Sequence, residues 1–193
     1  MVDNCSIIID EAISLFAREG ILVPDEKICE AAGLSLEQFK SCFAQRQDLL
    51  DAIYITVKQK KSAEIIAEFE MGNDIKAFFY DVWRHYVEWA MKNKTCYIAM
   101  RALECSNVLS NDVQDLVDYC LVIVHDHFEE GICRNIFNCV SADFLTSTAS
   151  AQVRAAVDYV LKNNTPDQDR ADYIKSSFEM FWRGISKPET AVA

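Results

Sequence analysis

The stretch Ala31–Phe43, "AAGLSLEQFKSCF", decides how the chain is read. Gly33 supplies a turn, because glycine enters left-handed backbone conformations at little cost. Ser35 follows as a helix N-cap, and Gln38 stands three residues later, the spacing of a capping box. Phe39 and Phe43, four apart, share one face of the helix so started and must pack against something. The partner lies upstream. A helix over 5–19 carries Ile8, Ala12, Leu15 and Phe16 at helical spacing and stops at Gly20. After "ILVP" a short helix opens with Pro24 at its first position and turns Ile28, Ala31 and Ala32 inward. The three short helices predict one compact unit. Residues 24–43 form a helix-turn-helix within it, with a reading helix that starts after Ser35.

The rest of the chain predicts an all-α protein. Half of its 193 residues are hydrophobic, and five Gly and three Pro leave little material for β-turns. A long helix is expected over 46–70. Another over 74–92 has an aromatic stripe of Phe79, Trp83, Tyr86 and Ala90. Shorter patterns follow over 96–107 and 112–130, the latter apolar on nearly every side, as in a helix surrounded by others. "EEGICRNI" turns the chain. A helix rich in small residues (Ala142, Thr146, Ala149, Ala155, Ala156) runs to about Leu161. The last helix has Thr165 as cap, Pro166 first, Gln168 closing a second capping box, and its end at Gly184. Nine helices result, divided as 1–50 and 51–193. No run of about 18 apolar residues suggests a membrane span, and "MVDNCSIIIDEAI" has no basic, then apolar, leader. The expectation is a cytoplasmic chain with reduced thiols. Its eight cysteines, at 5, 29, 42, 96, 105, 120, 133 and 139, form no C-x-x-C pair and read as small buried hydrophobes.

Charge pulls against the motif. The net charge is −11, and residues 1–50 alone hold nine acids against four bases. Acidity of this size opposes non-specific attraction to nucleic acid and to anionic membranes.

The first 50 residues resemble the TetR family of bacterial transcription regulators. Leu15, Phe16 and Gly20 match its first-helix pattern. Ile28, Ala31, Ala32, Gly33 and Ser35 match its turn, and Phe43, Arg46, Leu49 and Leu50 match the entry to its fourth helix. "FEEGICRNI" and "FWRGI" are similar to later family segments. The resemblance implies a homodimer through the last two helices, with interface candidates Ala149, Ala156, Phe178, Phe181 and Trp182. It also implies a pseudo-palindromic DNA partner and a small-molecule effector. DNA contacts would come from Lys27, Ser35, Leu36, Gln38, Lys40 and Arg46. The chain departs from the family where DNA is touched: Val23 and Glu26 stand where a hydroxyl and a base are usual, Leu36-Glu37-Gln38 replaces Lys-Gly-Thr, and Lys40 and Cys42 replace Tyr and His.

An apolar effector pocket is expected among Trp83, Tyr86, Trp89, Tyr97, Met100, His127 and Phe128, although an aromatic stripe is also what a core looks like. His127 shares a stripe with Leu116, Cys120 and Ile123. No enzyme, cofactor or metal is expected: His125 and His127 lie about 200° apart on a helix, and no nucleophile elbow or phosphate loop is present. His85, with Asp81 one turn before it, reads as an edge contact, and Lys58, Lys60 and Lys61 as a solvated face. Cys42 is the thiol whose oxidation would matter most, with Lys40 the one nearby cation that favours its thiolate. The expected function is a ligand-controlled, DNA-binding regulator. The alternative is a dimer of the same fold that senses a ligand, or pairs with another regulator, without binding DNA.

Overall fold

The computed structural model describes residues 3–67, 74–114, 119–138, 141–163 and 166–188. Among them are ten helices and no strand, with one isolated antiparallel bridge between Phe137 and Ser186. The helices are α1 (Asn4–Glu19), α2 (Asp25–Ala32), α3 (Leu36–Cys42), α4 (Arg46–Ala67) and α5 (Ile75–Lys92), then α6 (Lys94–Ser106), α7 (Asn111–Gln114), α8 (Tyr119–Cys133), α9 (Ala142–Asn163) and α10 (Asp167–Ile185). The all-α reading holds. The single helix expected over 112–130 falls on α7 and α8, and the end expected for α4 at residue 70, Leu116, Cys139 and the Thr165 cap lie outside the described residues. Pro24 and Pro166 sit at the N-cap, one position before the first helical residue. α8 runs through Gly131, and the turn comes at Asn135, which takes positive φ.

The helices pack as two compact units. The first comprises Met1–Lys61 with Asn93–Leu116 and the second Ser62–Lys92 with Val117–Ala193. In the first unit α1 packs on α2, α3 and α6. Its buried residues Ile8, Ala12, Leu15 and Phe16 meet Phe39 and Phe43, whose rings lie edge-on at 5.9 Å. α6 belongs here because Tyr97, Ala99, Met100 and Leu103 are buried on the side that faces this core. Asp51 on α4 accepts from Gln47 Nε2 at 2.9 Å and from the Ser110 backbone N–H at 3.1 Å, and Gln47 also donates to the Val108 carbonyl. Those bonds tie the segment after α6 to α4. A disulfide joins Cys5 to Cys42 across 37 residues, which corrects the expectation of reduced, buried thiols for this pair. Closing a loop of that length removes unfolded-state entropy worth about 4 kcal/mol.

The second unit is built on aromatic rings. Phe79 of α5 stacks on Phe128 of α8 at 4.2 Å, and Trp83 stacks on Phe181 of α10 at 5.3 Å. Phe137 fills the space between Phe79, Phe128 and Trp182. Its ring lies against Gly131 so closely that a Cβ there would sit 2.1 Å from Phe137 Cε2. Two backbone bonds, Asn138 N–H to Ile185 O and Lys187 N–H to Ile136 O, both 2.8 Å, hold this segment to the end of α10.

Several expected faces differ. Ala31 is exposed, and α2 buries Ile28 and Cys29 instead. α8 is not surrounded, since Leu121 and Val122 are exposed. Lys61 is buried and Lys58 lies over the Tyr54 ring at 5.3 Å, so only Lys60 of the three lysines is fully solvated.

Phe137 is buried on all sides and cannot swing away from an added methyl. Gly131→Ala is therefore expected to destabilise the second unit by about 2 kcal/mol, the usual cost of overpacking. Unfolding of this unit, followed by near-UV circular dichroism in urea, checks it, and an unchanged midpoint would contradict the packing described.

Candidate nucleic-acid interface and ligand cleft

The helix-turn-helix is assembled by local signals. Gly33 at φ 66° lets the chain leave α2 in a left-handed cap, with its N–H on the Glu30 carbonyl. Ser35 Oγ accepts from the Gln38 N–H, and Gln38 Oε1 accepts from the Ser35 N–H at 2.8 Å, completing the capping box. Gln38 is thus occupied at its carbonyl end. Phe39 is the buried residue of α3; Leu36, Glu37, Gln38, Lys40 and Ser41 are exposed. This exposed face is the surface a nucleic acid would meet.

Arg46 does not belong to that surface. It is the first residue of α4, and its guanidinium turns inward. Nη1 pairs with Asp25, Nη2 donates to the carbonyls of Ile21 at 2.9 Å and Val23 at 2.8 Å, and the group lies over the Phe16 ring at 5.0 Å. One side chain therefore joins α1, the α1–α2 connection, α2 and α4. These contacts make Arg46 a structural tie, because the planar fork of five donors finds several acceptors at once. Lys27 is exposed but pairs with Glu19 at 2.6 Å. Of the three expected basic contacts only Lys40 has no ion pair among the described residues, and Glu37 stands beside it.

Of the seven residues expected to line an effector pocket, five fall in the second unit and two in the first. Tyr97 and Met100 belong to the first unit and are buried there. Trp83 and Phe128 are core of the second unit, where Trp83 Nε1 donates to Ser177 Oγ at 3.0 Å. His127 stacks on Phe78 with ring centres 3.6 Å apart and bonds the Ile123 carbonyl, and Tyr86 is half-buried. Trp89 does line a cleft of about 370 Å³, with Glu64, Ile65, Arg84, His85 and Lys92. That volume lies in the range of small-molecule sites, roughly 300–1,000 Å³. His85, expected at an edge, is buried and within 2.9 Å of Arg84 Nη2, while Asp81 pairs with Arg84 instead. The four-residue step from His85 to Trp89 is the one sequence signal that would have placed them together.

No protein-family model matches the sequence. The fold does match solved structures along nearly its whole length. A crystal structure from Shewanella sp. PV-4, assigned to the TetR family of transcription regulators, agrees with a TM-score of 0.86 at 20% identity, over 96% of this chain and 99% of that one. A TetR-family transcription regulator from Marinobacter aquaeolei gives 0.82 at 16% identity, over 96% and 97%. The fatty acid degradation regulator FadR from Bacillus halodurans gives 0.74 at 15%, over 94% and 96%. The chain has the TetR fold.

Within this TetR fold the residues expected at a dimer interface are largely spent inside the chain. Phe178 and Phe181 are 1% exposed, Trp182 9% and Ala156 4%; Ala149 is half-buried. Phe178, Phe181 and Trp182 of α10 meet Phe79, Tyr80 and Trp83 because the aromatic stripes of α5 and α10 are complementary. The outer faces of α9 and α10 carry Phe144, Ala151, Ala155, Tyr159 and Met180 instead, with Phe144 63% and Met180 77% exposed. No helix among the described residues is long and apolar enough to cross a membrane.

The remaining thiols separate by exposure. Cys29 and Cys120 are buried as expected, Cys96 is half-buried, and Cys105 and Cys133 are exposed. Burial, then the negative charges of Asp25 and Glu26, push the Cys29 thiol up, so it stays protonated at neutral pH and reacts slowly. Iodoacetamide at neutral pH is expected to label Cys105 and Cys133 well before Cys29, read by peptide mass. Equal labelling of Cys29 and Cys133 would contradict this placement.

Proposed function

We propose that the chain is a DNA-binding transcriptional regulator that acts as a homodimer and answers to a small apolar or aromatic ligand. The observation that carries this reading is the complete helix-turn-helix: a left-handed Gly33 turn, a closed capping box and a buried Phe39 present one face of α3 outward. The TM-scores to transcription regulators support it. Lys40 is the main phosphate contact, with Ser35, Leu36, Gln38 and Lys27 at the duplex edge, and Arg46 positions α2 and α3 without touching DNA. The functional division at residue 50 separates this reading element from the remainder.

Self-association uses the outer faces of α9 and α10, where Ala151 and Ala155 allow close approach beside Phe144, Tyr159 and Met180. A dimer presents two reading helices about 34 Å apart to a pseudo-palindrome. The effector lies in the Trp89–His85 cleft. Glu64 and Ile65 of that cleft stand on α4, so a ligand that binds one setting of α4 better than another shifts the reading unit's population.

A second reading, a TetR-fold ligand sensor that does not bind DNA, is favoured by one observation: Arg46 and Lys27 are both committed to carboxylates. Selection from random DNA fragments by the purified protein, at low and moderate salt, decides between them. Enrichment of a pseudo-palindrome is expected, bound by a particle sedimenting at twice the 22.0 kDa chain mass. With Lys40 from each subunit as the chief phosphate contact, log affinity should fall against log salt with a slope of about −2. Lys40→Gln should remove most of that slope. No enrichment at either salt would overturn the first reading in favour of the second.

A further inference from the structure

Cys5 and Cys42 stand at the two ends of the helix-turn-helix trio. Cys5 lies in the first turn of α1 and Cys42 is the last residue of α3, so their disulfide encloses the three helices in one covalent loop. α3 is only seven residues long, and an isolated helix of that length does not hold itself. Its N-terminal end is fixed by the Ser35–Gln38 box and its middle by Phe39. Its C-terminal end is fixed by Phe43 beyond it and by the sulfur bridge. Both cysteines are half-buried, so a small thiol or disulfide reaches them, and the Asp3 carboxylate lies within 4.8 Å of both sulfurs. The same chain exposes the thiols of Cys105 and Cys133 unbridged. Exposed unbridged thiols fit a reducing compartment, and there a disulfide is characteristically transient and regulatory.

We propose that Cys5 and Cys42 are a reversible thiol–disulfide element that fixes the last turn of the reading helix and thereby sets DNA affinity. The proposal rests on α3 being the DNA-contacting helix. The oxidant is a low-molecular-weight disulfide of the glutathione class. One cysteine thiolate attacks it, forming a mixed disulfide and releasing one thiolate. The second cysteine then attacks the protein sulfur of that mixed disulfide and releases the other. Two protein thiols are oxidised and one small disulfide is reduced, and the two protons given up by the cysteines end, by way of solvent, on the two released thiolates. In the bridged form α3 is preorganised. In the dithiol form its last turn opens, and DNA binding must supply the ordering cost.

The test uses the full chain equilibrated across ratios of reduced to oxidised glutathione. Trapping by alkylation and mass gives the bridged fraction, and hydrogen exchange reads the amides of residues 41–43. Binding to DNA selected by the bridged form is measured in parallel. The bridged fraction is expected to pass from high to low within the glutathione series. Exchange at 41–43 should rise by about an order of magnitude on reduction, and DNA affinity should fall with it. Cys5→Ser, a change in the outermost turn of α1, should hold both readings at the reduced value whatever the ratio, and Cys42→Ser should match it. A bridge that stays closed at every ratio, or exchange that is equal in both states, overturns the proposal. Selection of no DNA in either state removes the regulator reading and the affinity consequence with it, while thiol titration and exchange still decide the switch on the helix itself.

Discussion

The guanidinium of Arg46 is the point on which the reading unit depends. It reaches from the start of α4 to a carboxylate on α2 and to two carbonyls of the α1–α2 connection, and rests on a ring of α1. Charge-assisted hydrogen bonds of this kind are worth about 1.5–3 kcal/mol each, more than an exposed ion pair at about 0–1 kcal/mol. A lysine could not serve the same acceptors, because it offers a point charge and not a planar fork. The connection at Ile21–Val23 lies between helices, and Arg46 supplies donors to two of its carbonyls. With α2 so fixed, the Gly33 turn and the Ser35 cap direct α3 outward.

The same interaction explains the conflict between motif and charge. A helix-turn-helix needs positive charge at its surface, and this one commits half-buried Arg46 to a carboxylate and two carbonyls. The apolar skeleton does not depend on what the outer face carries, which is why it stays intact beside Glu37, Glu26 and Glu30. Under the proposed reading, DNA affinity would rest on Lys40 and on shape, and so few phosphate contacts would keep it weak.

Local features of the fold were legible in the sequence. Gly33, the Ser35–Gln38 spacing and the Phe39–Phe43 pair act within one or two turns, and each takes the form its residue types dictate. Partners across the fold were not legible. Helical spacing showed that Trp83, Phe128, Phe178 and Phe181 each turn an aromatic ring to one face. It did not show which of these faces meet one another. For the same reason spacing alone places the buried His85 at an edge and encloses α8, although Leu121 and Val122 face outward. The bridge from Cys5 to Cys42 spans 37 residues, and pairing at that range does not follow from spacing.

Native-state hydrogen exchange of Arg46→Gln beside Lys40→Gln tests the central claim most directly, read over the amides of residues 27–34. If Arg46 is the tie that holds α2 in place, its loss should release protection across α2 and the Gly33 turn, while Lys40→Gln leaves that segment as it was. Equal protection in both variants would mean that the apolar core alone fixes the reading unit, and that the inward turn of Arg46 carries no structural weight.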